Sequence, residues 1–120
     1  MNGLTVVIGA SENPSRYANM AVRSLLRHNE TVAAVGLKAG EIEGVTIHAD
    51  RPAFENVETV SLYVGPQNQP GWYEYILSLK PKRVIFNPGT ENEEFFQLCR
   101  SNSIEVVIAC TLVMLSVGNF

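Results

Sequence analysis

Five short apolar runs, each closed by a turn or a polar break, constrain this chain more than any other feature. They are residues 4–9, 31–35, 59–64, 83–86 and 104–108, rich in valine and isoleucine. Continuous runs of this kind, without polar alternation, fit strands buried on both faces, as in a parallel sheet. Between them the apolar period changes from strand to helix. Ala18, Ala21, Val22, Leu25 and Leu26 recur at i, i+3, i+4, i+7 and i+8 and share one helix face. Asn29 follows as a left-handed stop. Trp72, Tyr75, Ile76 and Leu79 repeat the stripe, with Pro70 in the first turn and Pro81 forbidding continuation. Phe95, Leu98 and Cys99 mark a third helix, with Thr90 and Glu93 matching a capping box at its start. Residues 37–50, with Gly40 and Gly44, read as an excursion loop holding a short strand-like piece at 45–48. Residues 111–120 read as an apolar tail with one terminal helical turn.

Parallel strands need crossovers of about a dozen residues, and these are right-handed in nearly all sheets. The predicted architecture is therefore α/β: a doubly wound, three-layer α/β/α fold on a mostly parallel five-stranded sheet. A length of 120 residues suits one domain, expected to span 1–120.

Charge and termini narrow the function classes. Nine Lys and Arg against twelve Asp and Glu give a net charge of −3. That balance argues against nucleic-acid or anionic-membrane binding and leaves room for a local basic site on one phosphorylated ligand. Residues 1–10 lack a basic leader and read as a strand. No apolar stretch reaches the roughly 20 residues of a membrane helix; residues 104–115 come nearest, interrupted by Glu105 and Thr111. The expected location is cytoplasmic. Cys99 and Cys110 belong to no CxxC or Cys/His cluster, so free thiols and no metal site are expected.

In an open parallel sheet, ligands bind beyond the carboxyl ends of the strands, near the point where strand order reverses. Four loops meet that rule: 9–17, 36–38, 65–68 and 87–90. In the first, Gly9 permits a sharp turn, Ser11 offers a hydroxyl and an N–H, and a helix N-terminus points at the same spot. Arg16 adds a bidentate phosphate donor. These make a diphosphate cradle, although the same residues also serve a plain turn with a serine helix cap. The dinucleotide fingerprint GxGxxG is absent, since Ser11 and Pro14 replace its later glycines, and no P-loop is present. The second strand ends on Gly36, Leu37 and Lys38, without the acid that would bind a free ribose diol. Lys38 suits an extra ribose phosphate, or is simply solvated.

No catalytic residue is assigned. His28 ends a helix, His48 sits in a loop near Asp50, and Glu91, Glu93 and Glu94 start a helix where carboxylates are structurally favoured. Cys110 follows the last strand on the ligand side. Trp72, Tyr73 and Tyr75 have the spacing of core residues.

The stretch Val7-Ile8-Gly9-Ala10-Ser11-Glu12-Asn13-Pro14-Ser15-Arg16-Tyr17-Ala18 resembles the small stand-alone CoA-binding domain proteins, whose hallmark is a strand followed by GAS-x-x-P-x-R-Y. The likeness continues through Val35-Gly36-Leu37-Lys38, Glu41-Ile42-Glu43-Gly44 and Tyr63-Val64-Gly65-Pro66. It closes with Phe86-Asn87-Pro88-Gly89-Thr90-Glu91-Asn92-Glu93-Glu94 and Cys110-Thr111-Leu112-Val113-Met114. The resemblance implies a Rossmann-like fold related to the nucleotide-binding domain of succinyl-CoA ligase α subunits and of NDP-forming acyl-CoA synthetases. It implies that Gly9, Ala10, Ser11 and Asn13 line the diphosphate turn, with Pro14 inside the same motif. Arg16 and Lys38 would contact CoA phosphates, while Tyr17, Gly65, Pro66, Pro88 and Gly89 would shape the groove. Gly36-Leu37 stands where the family carries Asn-Pro, which changes the adenine end. The ligases' phosphohistidine domain has no counterpart.

The implied function is binding of coenzyme A or an acyl-CoA without catalysis. Two other readings stay open. One is an NAD(H)-binding redox sensor, or a small oxidoreductase or acyl-transfer subunit using Cys110 or His48. The other is a regulatory protein that kept the fold, lost the ligand and engages a protein partner or a second copy through residues 112–120.

Overall fold

The computed structural model describes residues 3–120. Met1 and Asn2, the start of the N-terminal segment read above as a strand, lie outside the described residues. Strand β1 (Leu4–Ile8) leads into helix α1 (Tyr17–Arg27) and strand β2 (Thr31–Val35). Strands β3 (Gly40–Ile42) and β4 (Val45–His48) precede β5 (Val57–Leu62). A 3-10 turn (Pro66–Asn68), α2 (Pro70–Ser78), β6 (Arg83–Phe86), α3 (Glu93–Ser101), β7 (Glu105–Ile108) and α4 (Thr111–Val117) complete the chain. The sheet order is β3-β4-β2-β1-β5-β6-β7. Every neighbouring pair is parallel except β3 with β4.

The expected doubly wound α/β architecture is present, with one correction: the sheet has seven strands, not five. The strand-like piece expected at 45–48 is β4, and Gly40–Ile42, expected as loop, pairs with it as β3 to make a hairpin. Glu43 and Gly44 turn it with φ of 46° and 87°, the double left-handed pair of a tight hairpin. Its outer strand buries Ile42 and its inner strand buries Ile47, and β4 then extends β2 in parallel through Ala34 and Val35. A pairing of that kind is tertiary, and local pattern could not show it.

Alternation along the strands sorts the core into two layers. Val7, Ala34 and Ile47 pack with Val22 and Leu25 of α1 and Leu115 of α4. Val6, Ile8, Val60, Leu62 and Phe86 pack with Trp72 and Ile76 of α2 and Phe95 and Cys99 of α3. Phe86 is met edge-on by both Phe95 and Phe96. Full burial of such a side chain contributes about 1.5–3 kcal/mol. The last run is an edge strand, not a doubly buried one, and Ile108 is 58% exposed.

Two helix ends also differ from expectation. The cap of α3 is Asn92, whose side-chain oxygen accepts from the Phe95 N–H at 3.3 Å. Thr90 is unavailable because its hydroxyl donates to the Asn87 carbonyl at 2.7 Å. The terminal segment is a full helix, α4, stopped by Gly118 at φ 79°, where the Asn119 N–H bonds to the Met114 carbonyl. Asn29 stops α1 in the same way, at φ 62°, with the Glu30 N–H on the Leu25 carbonyl.

The chain leaves β1 toward β2 on one side and later crosses back to β5 on the other. Strand order therefore reverses between β1 and β5, and their carboxyl ends open a crevice there.

Candidate functional site

A cleft of about 960 Å³ occupies that crevice. Close backbone packing shapes its floor. Gly9 sits at φ 96°, and a Cβ there would come within 3.0 Å of the Tyr63 carbonyl oxygen. The N–H groups of Gly9 and Ala10 both donate to the Val35 carbonyl, at 2.9 and 3.0 Å. A Cβ on Gly36 would fall on the Ala10 carbonyl. The three loops after β1, β2 and β5 thus meet backbone to backbone, and glycine is required at both 9 and 36.

The loop after β1 holds its own shape. The Ser11 hydroxyl oxygen accepts from the Asn13 N–H at 3.1 Å. The Asn13 side-chain oxygen accepts from the Ser15 N–H at 3.0 Å and the Ser15 hydroxyl at 2.8 Å. From α1, the Asn19 amide donates to the Ser11 carbonyl at 2.9 Å. Arg23 donates to the Asn19 side-chain oxygen at 2.8 Å and to the Pro14 carbonyl at 3.1 Å. Neither serine caps the helix. The N-cap is Arg16, and no side chain among the described residues bonds to the N–H groups of the first turn. Those groups keep their donor capacity just behind Arg16, which lines the cleft, and the helix dipole there favours an anion.

Seven of the sequence-derived candidates line the cleft: Gly9, Ala10, Ser11, Asn13, Arg16, Lys38 and Gly65. Pro14, Tyr17, Gly36, Pro66, Pro88 and Gly89 do not line it. Tyr17 is 69% exposed. Gly36 works from below, by close packing. Pro66 starts the 3-10 turn. Gly89 turns at φ 92° and donates its N–H to the Glu91 carboxylate at 2.9 Å.

A family model described as CoA binding domain matches residues 4–116. The chain belongs to the CoA binding domain family. Among curated proteins none matches. Among solved structures, an uncharacterized protein is 53% identical, with a TM-score of 0.96, covering 100% of this chain and 99% of that one. A protein from Thermus thermophilus is 24% identical, with a TM-score of 0.86, covering 99% and 91%. The dinucleotide forming acetyl-coenzyme A synthetase 1 of Ca. Korarchaeum cryptofilum shares the fold at a TM-score of 0.73 and 19% identity. This chain aligns over 89% of its own length and 25% of that enzyme.

Within this CoA binding domain, sequence reasoning missed part of the cleft. Arg51, Gly71 and Trp72 also line it, together with Glu12, Leu37 and Asn68 of the loops selected above and Tyr63 before the third of them. Trp72 was read as core, and it is 4% exposed, yet its ring carries the Arg51 guanidinium at 3.6 Å. Arg51 also donates to the Gly71 carbonyl at 2.7 Å. No local pattern links residues 51 and 72.

The wall on the β5–β6 side is cross-braced. Gln69 is fully buried, and its amide donates to the carbonyls of Val64 at 2.8 Å and Thr90 at 2.7 Å. Its oxygen accepts from the Asn92 amide at 2.9 Å. Asn92 also donates to the Tyr73 hydroxyl, which donates to Glu94. Deeper, the Asn87 amide donates to the Ser61 hydroxyl oxygen at 3.0 Å and the Leu62 carbonyl at 2.9 Å. Its oxygen accepts from the Thr111 N–H at 2.8 Å. Burial pushes the Tyr63 phenol up to about 12. The nearby Ser61 and Thr111 hydroxyls offset part of that effect. They are 2.8 Å from each other, however, and form no geometric hydrogen bond with the Tyr63 hydroxyl, which has no partner among the described residues.

The side chains considered for catalysis lie outside the cleft lining. The His28 ring meets the Ser24 carbonyl at 2.8 Å. His48 Nδ1 is 3.8 Å from Asp50, and its ring meets Phe54 edge-on. Cys110 is half-buried ahead of α4. Both cysteines are free thiols, and burial pushes Cys99 up to about 11. Among the described residues no three His, Cys, Asp or Glu side chains are grouped to hold a metal ion. No helix among them is long and apolar enough to cross a membrane.

Proposed function

We propose that this chain binds coenzyme A or an acyl-CoA as a single ligand-binding unit, with no chemistry of its own. One observation carries the reading: Arg16, the N-cap residue of a helix without a side-chain cap bond, and Lys38 both line the cleft where strand order reverses. The fit to CoA rests on three properties. Glycine at 9 and 36 lets the loops after β1, β2 and β5 pack backbone to backbone and form the cleft floor. Arg16 supplies a planar two-donor contact for phosphate. Lys38, in place of an acid after β2, matches a phosphorylated ribose and not the free diol of NAD. Membership of the CoA binding domain family supports the same ligand. Free thiols suit a reducing compartment, and we place the protein in the cytoplasm.

Isothermal titration with CoA, dephospho-CoA, NADH and ATP tests the reading. CoA is expected to bind most tightly, with dephospho-CoA weaker by the loss of the Lys38 contact. No binding of any CoA species would overturn the proposal, and preference for NADH would replace it with the redox-sensor reading.

A further inference from the structure

Arg51 is held in an unusual way. Its backbone adopts φ 51°, a left-handed conformation uncommon for a side chain of this size. The loop is tied down just after it. The Tyr75 hydroxyl donates to the Pro52 carbonyl at 2.7 Å, and Phe54 packs against the core. The guanidinium carbon sits over Trp72, 3.6 Å from the ring centroid, and the Gly71 carbonyl accepts from one of its nitrogens. Trp72 is itself buried, so its outer face is covered by Arg51 and cannot receive a ligand directly. Arg51 remains exposed and lines the cleft. A planar cation backed by indole on one side and open on the other is a stacking surface for an aromatic base.

A second residue points the same way. Leu37 is 85% exposed, a large apolar side chain lining the same cleft. It follows β2, and Arg51 follows β4, the neighbouring strand in the sheet. Apolar and cationic planar surfaces at the ends of adjacent strands are what a purine needs for its two faces.

We propose that Arg51, backed by Trp72, is the platform on which this protein stacks the adenine of its ligand, with Leu37 as the opposing apolar wall. Arg51 is then a specificity-determining residue for nucleotides over base-free phosphates. The inference rests on the ligand reading above, which places CoA in this cleft, and its test separates the two.

The test compares wild type, Arg51→Lys and Arg51→Ala, each titrated with CoA, ADP and inorganic pyrophosphate. The chain has one tryptophan, so Trp72 emission gives a second readout. Lysine keeps the charge and most of the stem but loses the planar surface. Expected results are a Trp72 emission change on CoA and ADP, and about tenfold weaker binding of both by each variant. Pyrophosphate binding should stay within about twofold for Arg51→Lys, because the charge is conserved. Thermal melts report whether each variant is folded, and if Arg51→Ala is not, Arg51→Lys decides. An Arg51→Lys protein that binds CoA and ADP as wild type does would overturn the platform. Equal loss of pyrophosphate in Arg51→Lys would also overturn it and make Arg51 an anion contact. Wild type that binds ADP but no CoA species overturns the CoA reading and leaves the platform standing. Wild type that binds CoA with no variant effect does the reverse, and wild type that binds no adenine ligand overturns both.

Discussion

The Glu12 carboxylate accepts the backbone N–H of Glu41 at 2.9 Å, clasping the loop after β1 to the outer strand of the hairpin. The clasp fills the space above Gly40, where an added Cβ would collide with the Glu12 side chain. Glu12 also lines the cleft, so it sets a negative charge beside the cations that would hold a polyphosphate. Glu12→Gln preserves an acceptor for the Glu41 N–H and removes the charge. CoA affinity is expected to rise by about 1 kcal/mol at low salt, the Coulomb scale for unit charges a few ångströms apart in water. The gain should shrink at high salt. Calorimetric titration at two ionic strengths checks it, and a fall in affinity would show that the clasp needs the carboxylate itself.

Arg16 is exposed and makes no hydrogen bond or ion pair through its side chain among the described residues. Its removal should therefore leave the fold unchanged while weakening CoA by about 1.5–3 kcal/mol, the range for a charge-assisted contact. Titration of Arg16→Ala, together with a urea midpoint equal to wild type, is the measurement. Unchanged affinity would make Arg16 a bystander.

Asn87 is 1% exposed and serves three partners at once: Ser61, Leu62 and Thr111. Asn87→Ala strands the Leu62 carbonyl and the Thr111 N–H in a buried setting and opens a small void. A loss of about 2–4 kcal/mol in urea unfolding is expected. A loss below about 1 kcal/mol would mean that water takes over the role of the side chain.

Alkaline pH should destabilise the protein through three buried groups, one of which, Tyr63, lines the cleft. Burial pushes Tyr63 and Tyr75 up to about 12 and Cys99 up to about 11, against ordinary values of 10.0 and 9.0. Each group favours its neutral form when folded, so its contribution is fully present below the unfolded value. Above that value the unfolded chain releases protons that the folded chain keeps, and stability falls with rising pH. The window opens near pH 9 with Cys99 and widens near pH 10 with the tyrosines. Tyr63→Phe removes one of the three groups and a buried hydroxyl that has no partner among the described residues. It should flatten the decline between pH 10 and 12 and leave neutral-pH stability equal or slightly raised. Urea midpoints at pH 7, 9, 10 and 11 test both statements, and a flat profile would contradict the first.

What the sequence made legible follows from the range of the interactions involved. Val6, Val7 and Ile8 announce β1 because both faces of a central strand are covered, and the stripe from Ala18 to Leu25 announces α1 because one face is. Gly9 and Arg16 were legible because their roles belong to one contiguous loop. The hairpin was not, since Gly40 and Glu41 become a strand only by pairing with Ile47 and Thr46. The α3 cap was misplaced by two residues because Thr90 and Asn92 are both competent, and the Asn87 carbonyl claims the first. Arg51 on Trp72 was invisible for the same reason as the hairpin: the partners come from distant segments and meet only when α2 lies against the sheet.

Gln69 gives the cleft a mechanical asymmetry. Its buried amide bolts the β5 and β6 loops together, so that side is a fixed jaw before any ligand arrives. The opposite jaw carries Leu37 and Lys38 beside a three-residue strand, pinned to the loop after β1 by the exposed Glu12 clasp. Under the CoA reading, adjustment to acyl groups of different bulk is expected on the hairpin side, with the β5–β6 side as the fixed reference.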